Sequence, residues 1–218
     1  MDKLKRKSEA ETFARALSEL APAFGLVLNE GVIQTLTEHY TLLLKWNPKI
    51  DLTAVVDPVE AAQFHYLESL YATKHLVPQA QTVVDIGSGA GFPGLPLAVS
   101  KPNLSVALIE SQARKATFLR VAVHHLGLSN LSVFHGRFQG YKPRDFNVVL
   151  CRALDRFAAL LPSILQFGGD SQQVLLFAGE ELAERCFALA GNLWQVECIP
   201  IPLSNQRFLV SLVPTRST

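Results

Sequence analysis

Val83-Val84-Asp85-Ile86-Gly87-Ser88-Gly89-Ala90-Gly91-Phe92-Pro93-Gly94 is the stretch that decides the fold. A short run rich in β-branched residues enters three glycines at alternate positions, and a helical pattern follows. Glycine suits a backbone that must turn tightly and approach a ligand with no Cβ in the way. Strand, glycine turn and helix in that order mark one unit of an open α/β sheet, which binds ligands at the carboxyl ends of its strands.

Outward from this turn the chain shows two periodicities. Candidate strands occupy 82–86, 105–110, 131–134, 146–151, 174–177, 195–199 and 208–213, with helical stretches between most of them. Alternation of this kind predicts an α/β fold of Rossmann-like, doubly wound type, with a mainly parallel seven-stranded sheet and right-handed crossovers. The last two strands leave no room for a helix and predict an antiparallel edge hairpin. Ser111 is placed to cap the helix after the second strand, and Gly127 to end it.

Upstream, residues 1–76 read as a helical extension, with 77–218 as the α/β domain. Phe13, Leu17 and Leu20 recur at helical spacing, as do Ile33, Leu36, Tyr40, Leu43 and Leu44. Asp57-Pro58-Val59-Glu60 has the signature of a helix start, and Trp46 to Thr53 reads as an extended connector.

Two cofactor classes use a glycine turn of this type. Gly89, Gly91 and Gly94 match the dinucleotide spacing, but that frame puts Pro93 inside the phosphate-binding stretch. The better frame is an acid, one apolar residue, then Gly87-x-Gly89-x-Gly91, which resembles the first motif of S-adenosylmethionine methyltransferases. That ligand has a sulfonium cation and no pyrophosphate, so Asp85 beside the turn is useful rather than repulsive. Glu110 ends the second strand about 20 residues on, where a carboxylate is expected to accept ribose hydroxyls. Phe138 and Gln139, after the third strand, are candidates to cover and hydrogen-bond the adenine. The competing reading of Phe138 is ordinary packing.

The fourth strand ends on Leu150-Cys151-Arg152-Ala153, where the methyl group would be presented. The segment has no Asn/Asp-Pro-Pro-Tyr and no evident base. Cys151 reads better as a small core residue than as a nucleophile. An acceptor that needs no deprotonation, such as guanine N7, accounts for the missing base. Arg152 is the candidate catalytic residue, able to hold guanine O6, a phosphate or the cofactor carboxylate; its competing reading is a surface ion pair.

Taken together, Lys45-Trp46-Asn47 with Asp51-Leu52-Thr53-Ala54-Val55, His65-Tyr66-Leu67-Glu68-Ser69-Leu70, Asp85 to Gly94 with its Leu95-Pro96 extension, Arg114-Lys115-Ala116-Thr117-Phe118-Leu119 and Arg152-Ala153 resemble the bacterial ribosomal RNA small subunit methyltransferase G family, also called glucose-inhibited division protein B. The resemblance implies a class I methyltransferase that methylates N7 of one guanine of 16S ribosomal RNA, in the decoding-region loop. It also implies cofactor contacts at Gly87, Phe92, Phe138, Gln139 and Arg152. The chain departs from the family pattern at Asp51, Cys151 and Gln139, and at Ala178, where lysine is usual before the glycine. The expected partner is the small ribosomal subunit or its assembly intermediate. The alternative on this fold is a methyltransferase acting on another RNA base, a protein or a small molecule; a nicotinamide oxidoreductase and a non-catalytic RNA-binding module are the more distant ones.

Composition bounds the rest. Across 218 residues, 49% hydrophobic and 18% charged composition supports a large core, and the net charge of +1 neither requires nor excludes RNA. The 3 cysteines lack metal-ligand spacing, so Cys186 and Cys198 are expected as reduced thiols with no metal site. No apolar run suits a membrane span, and a cytoplasmic monomer is expected. Phosphate contacts need clustered cations. Candidates are Lys3, Lys5, Arg6, Lys7, Lys45, Lys49, Arg120, Lys142, Arg144 and Arg156. Arg114, Lys115, Arg152 and Arg207 are favoured for their place near the strand ends. His65 is read as a core histidine.

Overall fold

The computed structural model describes residues 2–143, 145–152 and 157–215. Its centre is a seven-stranded sheet of order β3-β2-β1-β4-β5-β7-β6. The strands are β1 (Thr82–Ile86), β2 (Ser105–Glu110), β3 (Leu131–His135), β4 (Val148–Arg152), β5 (Gln173–Gly179), β6 (Trp194–Pro200) and β7 (Arg207–Pro214). The first five pair in parallel, while β7 runs antiparallel between β5 and β6. All seven expected strands form, the first two with the expected bounds and the others with ends shifted by at most two residues, and the last two make the expected hairpin.

The period-2 alternation of each strand assigns its side chains to two cores. From β1, Val83 faces one core and Val84 and Ile86 the other. The second face is covered by α7 (Phe157–Phe167) and α8 (Glu180–Ala190). The first is covered by α5 (Gly94–Ser100) and α6 (Ala113–His125), over which the N-terminal helices pack. These are α1 (Asp2–Leu20), α2 (Glu30–Ile50), α3 (Pro58–Ala61), a π-helical turn (Ala62–Leu67) and α4 (Glu68–Tyr71). Phe13, Leu17, Leu36, Tyr40 and Leu43 are buried, as their spacing predicts. They lie in the same core as Leu108 and Leu150 of the sheet, so the helical region buries its apolar stripe on the sheet layer. No helix among the described residues is long and apolar enough to cross a membrane.

Asp57 starts α3 as expected, its carboxylate accepting from the amides of Val59 and Glu60. Gly127, at φ +63°, ends α6, with the amides of Gly127 and Leu128 reaching back to His124 and Val123. Ser111 is not the cap of α6: that place falls to Gln112, whose amide is taken by the Glu110 carboxylate at 2.7 Å. Nor is Trp46 to Thr53 extended throughout. α2 runs on through Pro48 to Ile50, and Asp51 leaves it in the left-handed region at φ 52°.

Asn47 explains that ending. Its Oδ1 accepts from the amides of Leu52 (2.7 Å) and Thr53 (2.9 Å), and its Nδ2 donates to the Thr53 carbonyl at 2.8 Å. The side chain thus fastens the first residues after the helix back onto its last turn. Asn47→Ala removes all three bonds and is expected to destabilise the fold by about 2 kcal/mol. In urea denaturation the midpoint should fall with an unchanged slope; an unmoved midpoint would contradict this account of the helix end.

Candidate cofactor and methyl-transfer site

The glycine turn sits between β1 and α5 with its amide donors directed inward. Gly87 and Ser88 donate to the Ile109 carbonyl, and Gly91 and Phe92 to that of Ser88. Two acids take further donors. Asp85 Oδ2 accepts from Gly94 at 3.0 Å, and Glu110 Oε2 accepts from Gly89 at 3.0 Å. Gly94 is demanded by close approach, since a Cβ there would stand 2.5 Å from Leu108 and 2.8 Å from Asp85 Oδ2. Gly89 differs. At φ +56°, its missing Cβ would meet nothing nearer than a backbone oxygen at 3.8 Å.

Two adjoining cavities lie over this turn, at the carboxyl ends of β1, β2 and β4. One, about 400 Å³, is walled by Gly87, Gly89, Phe92, Glu110, Lys115 and Arg152, together with Leu52, Thr53 and His65. The second, about 320 Å³, is walled by Ile86, Gly136, Phe138 and Gln139. Gly87, Ser111 and Leu160 belong to both. Each has the size of a small-molecule site, roughly 300–1,000 Å³. Seven expected cofactor residues therefore come together: Gly87, Gly89, Phe92, Glu110, Phe138, Gln139 and Arg152.

Asp85 and Gly91 do not line either cavity. Asp85 is fully buried on the α5 side of the turn, its pKa pushed up to about 7, chiefly by burial and against the pull of the Gly94 amide. It acts from beneath, as the acceptor that pins α5 to the turn. Gly91, at φ +101°, has the Leu95 side chain where a Cβ would go. Glu110, whose two oxygens join the turn to α6, is the acid that faces the cavity. A carboxylate has about four acceptor positions, so it keeps lone pairs for a ligand's hydroxyls. The acid and the open space at Gly89 fit an adenosine-type ligand.

Arg152 is 14% exposed. Its Nη2 donates to the Phe64 carbonyl and, at 3.1 Å, to Glu68 Oε2, while Nη1 has no partner among the described residues. Glu68 itself lies between two guanidiniums, with Arg207 Nη2 2.9 Å from Oε1. Arg152 is thus a buried ion pair that also walls the cavity. Arg207 is tied to the same carboxylate and stacks over Phe64, its Cζ 4.3 Å from the ring centre. Lys115 stands in the cofactor wall, whereas Arg114 is exposed on α6 outside both cavities. The side chains of Lys3 and Lys5, and residues Ala153, Arg144 and Arg156, lie outside the described residues. Cys151 is fully buried in the core, and burial lifts its thiol pKa well above the usual range, in keeping with its reading as a small core residue. Among the described residues no group of His, Cys, Asp and Glu is arranged to hold a metal ion.

Two contributors escape the sequence reading. His65 is a wall residue, stacked on Phe92 at 4.7 Å with Nε2 2.8 Å from Thr53 Oγ1. Glu68 is the acid between the two arginines. Both lie on the π-helical turn or directly after it, where the Glu68 amide reaches back to Gln63. A π-helical turn re-aims side chains relative to a regular helix. Spacing at 3.6 residues gives no sign of this.

Comparison with known proteins agrees with this geometry. A family model described as rRNA small subunit methyltransferase G matches residues 32–197. The chain is 38% identical to the ribosomal RNA small subunit methyltransferase G of Sorangium cellulosum, over 82% of this chain and 77% of that one. It is 40% identical to the protein of that name from Xanthomonas campestris, over 80% and 84% respectively. Among solved structures, a SAM dependent methyltransferase from Aquifex aeolicus is similar in fold, with TM-score 0.55 at 16% identity, covering 72% of this chain and 93% of that one.

Behind the cavity wall lies His39, fully buried, its Nδ1 2.8 Å from the Tyr66 hydroxyl and its ring against Phe92. Burial lowers its pKa from 6.5 to about 3. The unfolded chain therefore takes up a proton near pH 6.5 that the folded chain refuses until about pH 3. This contribution to stability is complete above pH 6.5 and is lost as pH falls towards 3. His39→Gln should flatten the fall in unfolding free energy between pH 6 and 4.5 by about 1.4 kcal/mol per pH unit. Urea titrations at several pH values measure this, and parallel curves for both proteins would refute it.

Proposed function

The chain belongs to the rRNA small subunit methyltransferase G family, and on that premise we propose that it methylates N7 of a single guanine of 16S ribosomal RNA, in the loop of the decoding region. When bound, S-adenosylmethionine supplies an electrophilic methyl group on a cationic sulfur. The acceptor N7 carries a free lone pair, so no proton has to leave it. The residues at hand match that requirement. His65 is held neutral, its pKa lowered to about 3 by burial first and then by the charge of Arg152. No charged base is needed beside the transfer point, and none of the wall residues is placed as one. The task left to the protein is alignment and exclusion of water.

In this reading the Glu110 carboxylate accepts the ribose hydroxyls, and the open face of Gly89 admits the ligand's backbone. Phe138 covers the adenine and Gln139 bonds its edge. Phe138 keeps its packing role too, meeting the Phe167 ring edge-on at 5.5 Å. Asp85 contributes by holding the turn and α5 in place. Arg152, between the cofactor cavity and the RNA side, orients the guanine or the cofactor carboxylate. Lys115, Arg114 and Arg207 take RNA phosphates around the mouth. We further propose a cytoplasmic monomer that acts on the small subunit or its assembly intermediate. The observation that carries the reading is Glu110, a buried acid bonded to Gly89 and facing the cavity at the end of β2.

Transfer of a tritiated methyl group to small subunits from cells lacking this activity tests the proposal. Label is expected in 16S RNA at one N7-methylguanine, and its absence from RNA would sink the reading. Glu110→Ala should weaken S-adenosylhomocysteine binding tenfold or more in calorimetry and, by leaving the Gly89 and Gln112 amides without their acceptor, lower the melting temperature; wild-type affinity would refute the ribose role. Gly89→Val puts a β-branched side chain at positive φ into the cavity and should abolish binding.

A further inference from the structure

A third cavity, about 390 Å³, lies beside the cofactor cavity along the carboxyl edge of β4 and β5. It shares one wall residue with it, Arg152. Its other walls include Glu68, Phe177, Leu182, Ile201 and Arg207. β7 reaches this edge because Arg207 stands opposite Gly179 in the antiparallel pair. The cavity therefore combines a carboxylate, two guanidiniums and an aromatic ring, with Arg152 Cζ 5.3 Å from the Phe177 ring centre.

Two polar atoms there have acceptor or donor capacity left over. Glu68 is 1% exposed, and its Oε1 accepts no aligned hydrogen bond although Arg207 Nη2 is 2.9 Å away. Arg152 Nη1 is equally without a partner among the described residues. A buried polar atom left this way favours a ligand that completes its bonding. A phosphate would be repelled by the carboxylate. A purine that offers donors on one edge and an acceptor beside them meets both groups.

We infer that this cavity receives the target guanine, and that Glu68 is its specificity-determining residue, accepting from guanine N1–H and N2–H while Arg152 donates to O6. The inference rests on the reading that the chain methylates guanine N7. Enzymes that act on single bases take the base out of its stack and read its Watson–Crick edge by hydrogen bonds, with stacking on aromatic groups. Adenine would set a lone pair at N1 against the carboxylate and a donor against the guanidinium, so it is rejected at both points. N7 and O6 lie on the same side of guanine, so an O6 held by the shared Arg152 leaves N7 turned to the cofactor cavity. Transfer breaks the sulfur–methyl bond, with its electron pair going to sulfur. It forms the N7–methyl bond from the N7 lone pair, and the positive charge moves from sulfur to the base. Glu68 is then the anion that faces the charge arriving on the base.

The test needs no altered protein at first. Small subunits are assembled with inosine in place of the methylated guanine, which removes the 2-amino group and keeps N7, O6 and N1–H. The wild-type protein is expected to show kcat/KM lower by roughly tenfold on inosine, the scale of a well-placed base contact. Glu68→Gln should lower methylation of the guanine substrate by a similar factor and treat the two substrates alike, while S-adenosylhomocysteine still raises its melting temperature. Equal use of guanine and inosine by the wild type overturns the inference, and so does a preference that survives in a folded Glu68→Gln protein. Should that variant fail to fold, Glu68→Asp, which keeps the charge and draws it back from the cavity, is expected to lose the same preference, and an unchanged preference in it overturns the inference. Transfer to neither substrate by the wild type strikes the guanine-methylation reading itself, and the role of Glu68 falls with it.

Discussion

The glycine turn can leave a cavity open above it only because its own amides are satisfied from below. Buried amides without partners would be costly enough to distort the loop. Here the Ile109 carbonyl, the Ser88 carbonyl and two carboxylates accept them. Asp85 and Glu110 therefore serve the backbone as much as any ligand. Their division of labour follows from strand alternation. Asp85 has the parity of Val83 and points to the α5 side, where it meets Gly94. Glu110 ends β2 and turns towards the cavity mouth, bridging the turn and the amide of Gln112, the cap residue of α6. One acid is sealed in at a pKa near 7, and the other stays within reach of a ligand.

The N-terminal helices are part of the same machine. Asn47 ends α2 so that Leu52 and Thr53 reach the cavity wall, and Thr53 in turn meets His65. His65 stacks on Phe92, and Phe92 belongs to the glycine segment. The π-helical turn carries Phe64, whose carbonyl receives Arg152 and whose ring lies under Arg207. At the other end of the sheet, Gln173 ties the helical region down, donating to the His75 carbonyl and to Ser211 and accepting from Val77. Helical region and sheet thus share a core, a cavity wall and a hydrogen-bonded tie.

Much of this was legible in the chain before any coordinates. Short apolar runs rich in β-branched residues, set between helical stretches, gave all seven strands, because strands buried on both faces read as near-continuous apolar runs. The turn and Glu110 were legible because glycine at positive φ and an acid at a strand end have few other uses. What stayed hidden depends on distance in space. Ser111 looks like a cap, yet α6 starts at Ala113 with Gln112 in the cap position, its amide held by Glu110. The connector looked extended, yet α2 runs on to Ile50 and the Asn47 side chain folds Leu52 and Thr53 back onto its end. His65 reads as a core histidine until the π-helical turn and β4 bring it, with Glu68, to Arg152.

The ionic group at the β4–β5 edge makes sense only as one unit. Breaking a buried pair by removing one partner strands a charge, which usually destabilises by about 3–5 kcal/mol, while replacing the whole unit with apolar groups is often neutral or better. Glu68, Arg152 and Arg207 are therefore poor devices for stability alone. Burial raises the Glu68 pKa and lowers that of Arg152, each opposed by the partner's charge. The histidines around them are kept neutral, so the cluster's net charge is set by two guanidiniums and one carboxylate. This array, with Glu68 and Arg152 buried and Arg207 partly exposed, sits between the cavity over the glycine turn and the one at the β4–β5 edge. It can hold a neutral base firmly in one orientation and remain compatible with the cation the base becomes, because its one anion lies inside the array.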